Sequence, residues 1–247
     1  MITPRISTRR YYDLLDGKTL KTNSYSLYPK NFFDTLESSK EIVVMIHGLR
    51  NDSASAAKKF EIARNRLRRI GYKYPVIGFS YDSNTRGAHL KKTELRALHV
   101  GQKIAQKNGK NLSRFIADLK KFCPQIKIRL IGHSLGSQVI LSTIDFLSKN
   151  SSNKNLIETA HFFGASITFN DLKKNRKKIN NVINKKIVNY FAPSDEVLQY
   201  AHDTNSVTNP LGLCGSMGGK ISKYAEKKVK PRNHRFASYA LTIRSFP

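Results

Sequence analysis

The residues Gly132-His133-Ser134-Leu135-Gly136 place a serine hydroxyl between two glycines at a spacing that suits nucleophilic catalysis. In such a motif the serine occupies a tight, strained turn. A glycine two positions before it and another two positions after it let the neighbouring backbone pack closely. A motif of this length also occurs by chance, so a serine at an ordinary turn is the structural alternative. The flanking sequence must distinguish the two.

The flanks of Ser134 favour the nucleophile. The apolar run Ile126–Ile131 predicts a buried strand before the motif, and the sequence LGSQVILSTIDFLSK predicts a helix after it. A serine at a helix N-terminus lies near N–H groups that stabilise a developing negative charge. A second donor is expected after an earlier strand, where the sequence MIHGLRND ends a β run in His-Gly. We predict an oxyanion hole formed by the backbone N–H groups of Leu49 and Leu135, with His47 as a structural histidine.

A serine is a weak nucleophile unless a base activates it and a third group orients that base. In the chain order serine, acid, histidine, we predict that Asp195 is the acid, because it follows the β run KIVNYFA and a Pro-Ser turn. Glu196 is the neighbouring alternative. A helix N-cap is the structural alternative for Asp195, because SDEVL precedes an apolar stretch.

Three histidines are candidates for the base. His161 precedes the acid in the chain, and His202 follows it too closely to come from a separate element. His234, in KPRNHRFASYAL, opens a predicted C-terminal helix, where the last member of a triad in this order usually lies. The structural alternative is a solvent-facing histidine among basic residues. We predict a triad of Ser134, Asp195 and His234.

The elements that must position these residues alternate between strands and helices, which indicates parallel βαβ units. We therefore predict an α/β fold with a mostly parallel sheet, helices on both faces and an antiparallel edge pair or meander from the first forty residues. The predicted strands are Glu41–Gly48, Tyr74–Ser83, the run before Ser134, Leu156–Ala165, Lys186–Ala192 and the later run KISKYAEKKV. The predicted helices include one from an N-cap at Ser53 to Gly71 and one over Leu90–Cys123 with interruptions at Gly101 and NGKN.

Length and composition favour one cytoplasmic domain over residues 1–247. The hydrophobic content is 39%, and there is neither an apolar run of membrane-spanning length nor the apolar core of a secretory signal. Cys123 and Cys214 are far apart, so we expect two buried thiols rather than a disulfide. The Gly-, Asn- and Ser-rich segment His202–Lys220 is expected to be mobile, with Leu211–Gly219 able to open over the site.

The charge is the unusual feature of the composition, since 44 basic residues against 17 acidic residues give a net charge of +27. Such an excess attracts phosphate-bearing partners, either anionic membrane surfaces or nucleic acid. The basic residues lack interleaved aromatic side chains, and no nucleic-acid-binding motif is present, so nucleic acid is the weaker expectation. Solvated helix faces are the structural alternative.

The Gly-His-Ser-Leu-Gly motif in this setting resembles the nucleophile elbow of the α/β-hydrolase superfamily, in the style of lipases and carboxylesterases. The segments VIGFSYDSNT and LIGHSLG are also similar to α/β-hydrolase families of unknown function. In those families, segments resembling VNYFAPSDEVL and NHRFASY carry the acid and the histidine, which implies Asp195 and His234. The resemblance covers Ile42–Tyr239, with Asn233 in place of a common glycine and an unusually basic segment before it.

The resemblance implies hydrolysis of a small-molecule or lipid ester through an acyl-enzyme, with no metal or organic cofactor. An acyltransferase or a thioesterase would use the same residues. The alternative of a different class is a non-catalytic, electropositive binding protein on a hydrolase scaffold. An intact arrangement of Ser134, His234 and Asp195 would favour the enzyme, whereas a displaced histidine beside one continuous basic face would favour the binding protein.

Overall fold

The computed structural model describes residues 3–22, 24–36, 38–90 and 92–246. Within these residues the chain forms one eight-stranded sheet with the order β2-β1-β4-β3-β5-β6-β7-β8. The strands are β1 (Arg5–Ser7), β2 (Ser26–Tyr28), β3 (Glu41–Ile46), β4 (Val76–Ser80), β5 (Lys127–His133), β6 (Ile157–Phe163), β7 (Ile183–Phe191) and β8 (Tyr224–Lys228). The helices are α1 (Ser53–Arg69), α2 (Glu94–Phe122), α3 (Gly136–Leu147), α4 (Phe169–Lys174), α5 (Arg176–Val182), α6 (Glu196–Asp203), α7 (Leu211–Cys214) and α8 (Phe236–Ala240).

The sheet is parallel except at one edge. Strand β2 pairs antiparallel with β1, with Arg5 opposite Tyr28, and every other neighbouring pair of strands is parallel. The predicted antiparallel edge pair is therefore confirmed. Strands β3 and β6 are buried along their whole length, and β5 is buried from Ile128 onward, as expected for central strands covered on both faces.

Helices cover both faces of the sheet, and each face has its own apolar core. On one face α1 and α8 pack with Phe60, Leu67, Phe236 and Tyr239 fully or almost fully buried. On the other face α2, α3 and α5 bury a larger cluster that includes Phe115. This arrangement confirms the α/β-hydrolase fold that the sequence predicted.

Two predicted details of the helices are wrong. The N-cap of α1 is Asp52 rather than Ser53, because its carboxylate accepts a hydrogen bond from the Ser55 N–H at 2.7 Å. Helix α2 is not interrupted at Gly101 or at NGKN. A Cβ at Gly109 would lie 2.4 Å from the Ser142 hydroxyl oxygen, so this glycine permits close packing of α2 against α3 rather than breaking the helix.

The segment expected to be mobile is partly docked on the sheet. Residues Leu211–Cys214 form α7, and a Cβ at Gly212 would lie 2.2 Å from the Ala165 backbone nitrogen. This close packing, together with the burial of Leu211 and Leu213, opposes the predicted opening of Leu211–Gly219 over the site. The side chains of Cys123 and Cys214 are partly exposed, so their predicted burial is only partial. The two residues form no disulfide with each other. Among the described helices, none combines the length and apolar character needed to cross a bilayer.

Candidate active site

Ser134 lies in the turn between β5 and α3 with a φ angle of 52°, a backbone conformation that is unusual for a residue other than glycine. The two glycines around it are required by close packing. A Cβ at Gly132 would lie 2.8 Å from Ile140 Cδ1, and a Cβ at Gly136 would lie 2.5 Å from the Ile46 carbonyl oxygen. These contacts explain the Gly-x-Ser-x-Gly spacing, and the strained serine has the backbone geometry of a nucleophile elbow.

The loop after β3 lies directly against this turn. A Cβ at Gly48 would lie only 2.8 Å from the Ser134 Cβ, so the main chain that leads into Leu49 passes beside the serine. Within the described residues, neither the Leu49 N–H nor the Leu135 N–H donates a hydrogen bond to the protein. Both predicted oxyanion donors therefore have no protein acceptor among the described residues, and Leu49 and Leu135 line the same cavity as Ser134.

Asp195 and His234 are brought together at the carboxyl end of β7. His234 Nδ1 lies 2.7 Å from Asp195 Oδ2, which also accepts a 2.6 Å hydrogen bond from the Tyr239 hydroxyl. Asp195 Oδ1 accepts from the Leu198 N–H at 3.2 Å, so Asp195 is the N-cap of α6 as well. Burial acts to raise the pKa of Asp195, but these hydrogen bonds and the charge of His234 outweigh it and lower the pKa below its usual value.

Ser134 and His234 face the same cavity, which has a volume of about 1070 Å³ and is also lined by Leu49 and Leu135. Asp195 lies behind the histidine and is only 1% exposed. Across the described residues, no direct hydrogen bond joins the Ser134 hydroxyl to His234. Such bonds are often long in an unliganded site and shorten when the substrate binds.

The other candidates do not pair with Ser134, Asp195 or His234 in the described structure. His161 is buried in β6, where Nε2 contacts the Thr159 hydroxyl at 2.9 Å. His202 is in the last turn of α6, accepts from the Asn209 N–H at 3.2 Å and does not line the cavity. Glu196 is exposed in the first turn of α6, and the histidine hydrogen bond goes to Asp195 instead.

His47 is a buried structural histidine beneath the loop. Its ring stacks on Tyr81 with 4.5 Å between centroids, and Nδ1 contacts the Gly48 carbonyl oxygen at 2.9 Å. Nε2 accepts from the Tyr81 N–H at 3.2 Å and faces the Arg9 guanidinium. Burial and the charge of Arg9 hold the pKa of His47 well below its usual value, so the ring is neutral.

One network that the sequence reasoning missed fixes the loop that carries Leu49. The Asn51 side-chain amide donates to the carbonyl oxygens of Gly48 at 2.9 Å and Leu49 at 2.6 Å, and its oxygen accepts from the Lys59 ammonium. From the other side, Arg9 donates to the Asn51 carbonyl oxygen at 2.8 Å. The donor position in the loop is thus held by side chains from three separate segments.

A second missed contact positions the histidine. His133 is fully buried within the motif itself, and its Nε2 lies 2.7 Å from the His234 carbonyl oxygen. Burial, followed by the charge of His234, lowers the pKa of His133 well below its usual value, so this ring is neutral and donates from Nε2. The contact of Tyr239 with Asp195 was also missed, although the segment NHRFASY that carries His234 ends in this tyrosine.

The described part of the chain contains no group of three or more His, Cys, Asp or Glu side chains placed to hold a metal ion. At the cavity the structure brings together a hydroxyl, an imidazole paired with a carboxylate, and main-chain N–H groups. This set matches the requirements of acyl transfer.

Residues 96–223, more than half of the 247 residues, match the family described as "Protein of unknown function (DUF726)". The chain belongs to this family. No curated protein matches the sequence.

Among solved structures, the chain is similar to a lipase-esterase related protein from Clostridium acetobutylicum, with 12% identity and a TM-score of 0.48 over 84% of this chain and 93% of that one. It is also similar to a cutinase from Trichoderma reesei, with 16% identity and a TM-score of 0.33 over 55% and 62% of the two chains. A ferulic acid esterase matches with 8% identity and a TM-score of 0.38 over 99% and 96%.

Proposed function

We propose that this member of the DUF726 family is a serine hydrolase that cleaves carboxylic esters through Ser134, His234 and Asp195. The observation that carries the proposal is the strained Ser134, which faces the same cavity as a histidine hydrogen-bonded at 2.7 Å to a buried carboxylate. An acid beside an imidazole fixes the ring tautomer in which Nε2 is free to accept a proton.

In the first half-reaction, the Ser134 oxygen attacks the ester carbonyl carbon while His234 Nε2 takes the hydroxyl proton. The carbonyl π electrons move onto the oxygen, and the N–H groups of Leu49 and Leu135 stabilise the resulting anion, each donor contributing about 3 kcal/mol. When this intermediate collapses, the bond to the alcohol breaks and His234 gives its proton to the leaving oxygen. The product is an acyl-Ser134 ester and a free alcohol.

In the second half-reaction, a water molecule gives a proton to His234 and attacks the acyl carbon. The bond to the Ser134 oxygen then breaks, His234 returns the proton to this oxygen, and the carboxylic acid leaves. Throughout the cycle the Asp195 carboxylate stabilises the protonated imidazole. Its lowered pKa keeps it ionised at neutral pH.

The alternative of a non-catalytic binding protein depends on the charge of +27. A scaffold that had lost catalysis would have no reason to retain a paired histidine and carboxylate beside a strained serine. The 2.7 Å contact between His234 and Asp195 thus supports the enzyme over the binding protein. A role for the basic surface at anionic membranes or nucleic acid stays a prediction.

The test combines an active-site probe with matched variants. We expect the purified protein to react with a fluorophosphonate probe and to hydrolyse p-nitrophenyl butyrate, and both activities should disappear in Ser134→Ala. In His234→Ala, kcat should fall by orders of magnitude. The control is His202→Ala, which replaces a histidine outside the cavity and should keep the wild-type kcat. Equal activity of the wild type and Ser134→Ala would refute the proposal.

A further inference from the structure

The cavity in front of Ser134 has two chemically different walls. One wall is apolar and comes from α2, α6 and the segment that follows α6. Two of its side chains remain largely exposed to solvent, with Val197 52% and Leu95 43% accessible. The apolar residues that line this wall are Leu95, Leu98, Val197, Leu198, Ala201 and Val207. Such a surface suits the hydrocarbon part of a ligand.

The other wall is cationic. Lys59, Arg232 and Arg235 line the cavity near His234, and none of them forms an ion pair within the described residues. Two acidic residues also line the cavity. Glu94 is bonded to Arg50 at 3.3 Å, and Glu196 is exposed on α6, the helix of the apolar wall.

The two arginines are held by a fixed turn. The backbone N–H of Arg232 donates to the Ser238 hydroxyl at 2.6 Å, and the N–H of Arg235 donates to the Asn233 side-chain oxygen at 3.0 Å. His234 lies between the two arginines in the chain, and its carbonyl oxygen is bound by His133. The arginine side chains therefore extend from a backbone whose position is coupled to that of the catalytic base.

Like charges crowd this wall. Burial, and then the charge of Arg235, lower the pKa of Lys59 to about 8. The Lys59 ammonium gives one hydrogen bond to Asn51 and has two further donors. A bound anion would relieve the repulsion between these cations and use the free donors.

We propose that the cavity selects esters whose alcohol carries a phosphate or a carboxylate, with Arg232, Arg235 and Lys59 binding the anion and the apolar wall binding the acyl chain. The anion belongs to the alcohol because His234 must protonate the leaving oxygen, which places the alcohol beside the two arginines that flank it. This inference rests on the proposed hydrolase activity and specifies its substrate class.

The first experiment measures selectivity with paired substrates. Butyrate esters of 4-nitrophenol and of its 3-carboxylate derivative test the carboxylate, while monoacylglycerol and acyl glycerol 3-phosphate test the phosphate. We expect the wild type to favour the anionic member of at least one pair, and the preferred pair identifies the anion. Arg235→Gln should reduce this preference about tenfold, since a hydrogen bond to a charged group is worth that much or more. Arg69→Gln is the control, because it removes the same charge at an exposed position outside the cavity.

The second experiment tests the subsite without catalysis. Binding of octyl phosphate and of the neutral 1-O-octylglycerol to the Ser134→Ala protein is measured by titration calorimetry. Octyl phosphate should bind at least about tenfold more tightly, and this advantage should shrink in 1 M salt and in Arg235→Gln. Equal binding of the two amphiphiles would overturn the anion subsite even if ester hydrolysis is present. Tighter binding of octyl phosphate without any ester hydrolysis would preserve the subsite and reject the hydrolase proposal.

Discussion

The loop that carries Leu49 is predicted to be the most sensitive non-catalytic part of the site, and Asn51→Ala tests this. The Asn51 amide joins the carbonyl oxygens of Gly48 and Leu49 and accepts from Lys59, and the residue is fully buried. The substitution removes all three hydrogen bonds and leaves the loop free to move away from Ser134. The Leu49 N–H would then no longer point to the developing oxyanion.

The magnitude follows from these contacts. Two neutral hydrogen bonds contribute about 1 kcal/mol each, and the bond from the partly exposed Lys59 adds about 1 kcal/mol more. The free energy of unfolding should therefore fall by about 3 kcal/mol, which lowers the Tm by roughly 6–12 °C for a chain of this size. Misplacing one oxyanion donor should reduce kcat by up to about 10²–10³. KM should change little, since the anion exists only in the transition state.

The assay compares the steady-state hydrolysis of p-nitrophenyl butyrate with thermal unfolding of the same samples. Ser83→Ala is the control, because Ser83 is also fully buried and donates to the Asn51 carbonyl oxygen at 3.1 Å, while the amide bridge stays intact. It should lose about 1 kcal/mol of stability and at most a few-fold in kcat. An unchanged kcat in Asn51→Ala, or an equal loss in both variants, would refute the role of the amide in placing the Leu49 donor.

Two further predictions concern pH. Tyr239→Phe removes the 2.6 Å hydrogen bond that helps to lower the pKa of Asp195, and should cost about 1.5–3 kcal/mol of unfolding free energy at neutral pH. A carboxylate with a lowered pKa stabilises the fold above its unfolded pKa of about 3.9 and loses this contribution as the pH falls through its folded pKa, so the difference from wild type should shrink in acid; a difference constant with pH would contradict this. Burial lowers the pKa of His161 to about 3, whereas the unfolded imidazole binds a proton below about pH 6.5. As the pH falls from about 6.5 to 3, the wild type should therefore lose about 1.4 kcal/mol of unfolding free energy per pH unit that His161→Leu does not lose. Denaturant titrations at each pH measure this, and equal pH dependence of the two proteins would disprove it.

The sequence predicted the central sheet well because each buried strand is a short apolar run that ends in turn residues. The run before Ser134 became β5, and the strand that ends in His-Gly became β3. Parallel strands place their carboxyl ends on one edge, so residues that follow β3, β5 and β7 were bound to meet there. This is why Asp195, distant from Ser134 in the chain, could be predicted to lie at the same edge of the sheet.

Glycines in α2 show where the same reasoning fails. A glycine within a helical pattern, such as Gly101 or Gly109, can indicate either an interruption of the helix or a close contact with another helix. The neighbouring sequence does not distinguish the two. A Cβ at Gly101 would lie 2.4 Å from Leu49 Cδ1, and that contact joins residues far apart in the chain. Sequence patterns report local preference, whereas tertiary contacts decided these positions.

The supporting shell of the site was beyond prediction for the same reason. Asn51 follows His-Gly-Leu-Arg and looks like an ordinary turn residue, yet its amide, Lys59 from α1 and Arg9 from the segment after β1 meet in one network. Each contact depends on how α1 and the segment after β1 pack around the loop. A nucleophile on a strained turn has a recognisable sequence motif, because the strained backbone needs glycine neighbours. A residue that only holds a loop has no such motif, because it depends on contacts with residues distant in the chain. Candidate reacting groups are therefore easier to predict from the sequence than the residues that fix their geometry, and substitutions such as Asn51→Ala measure that second contribution.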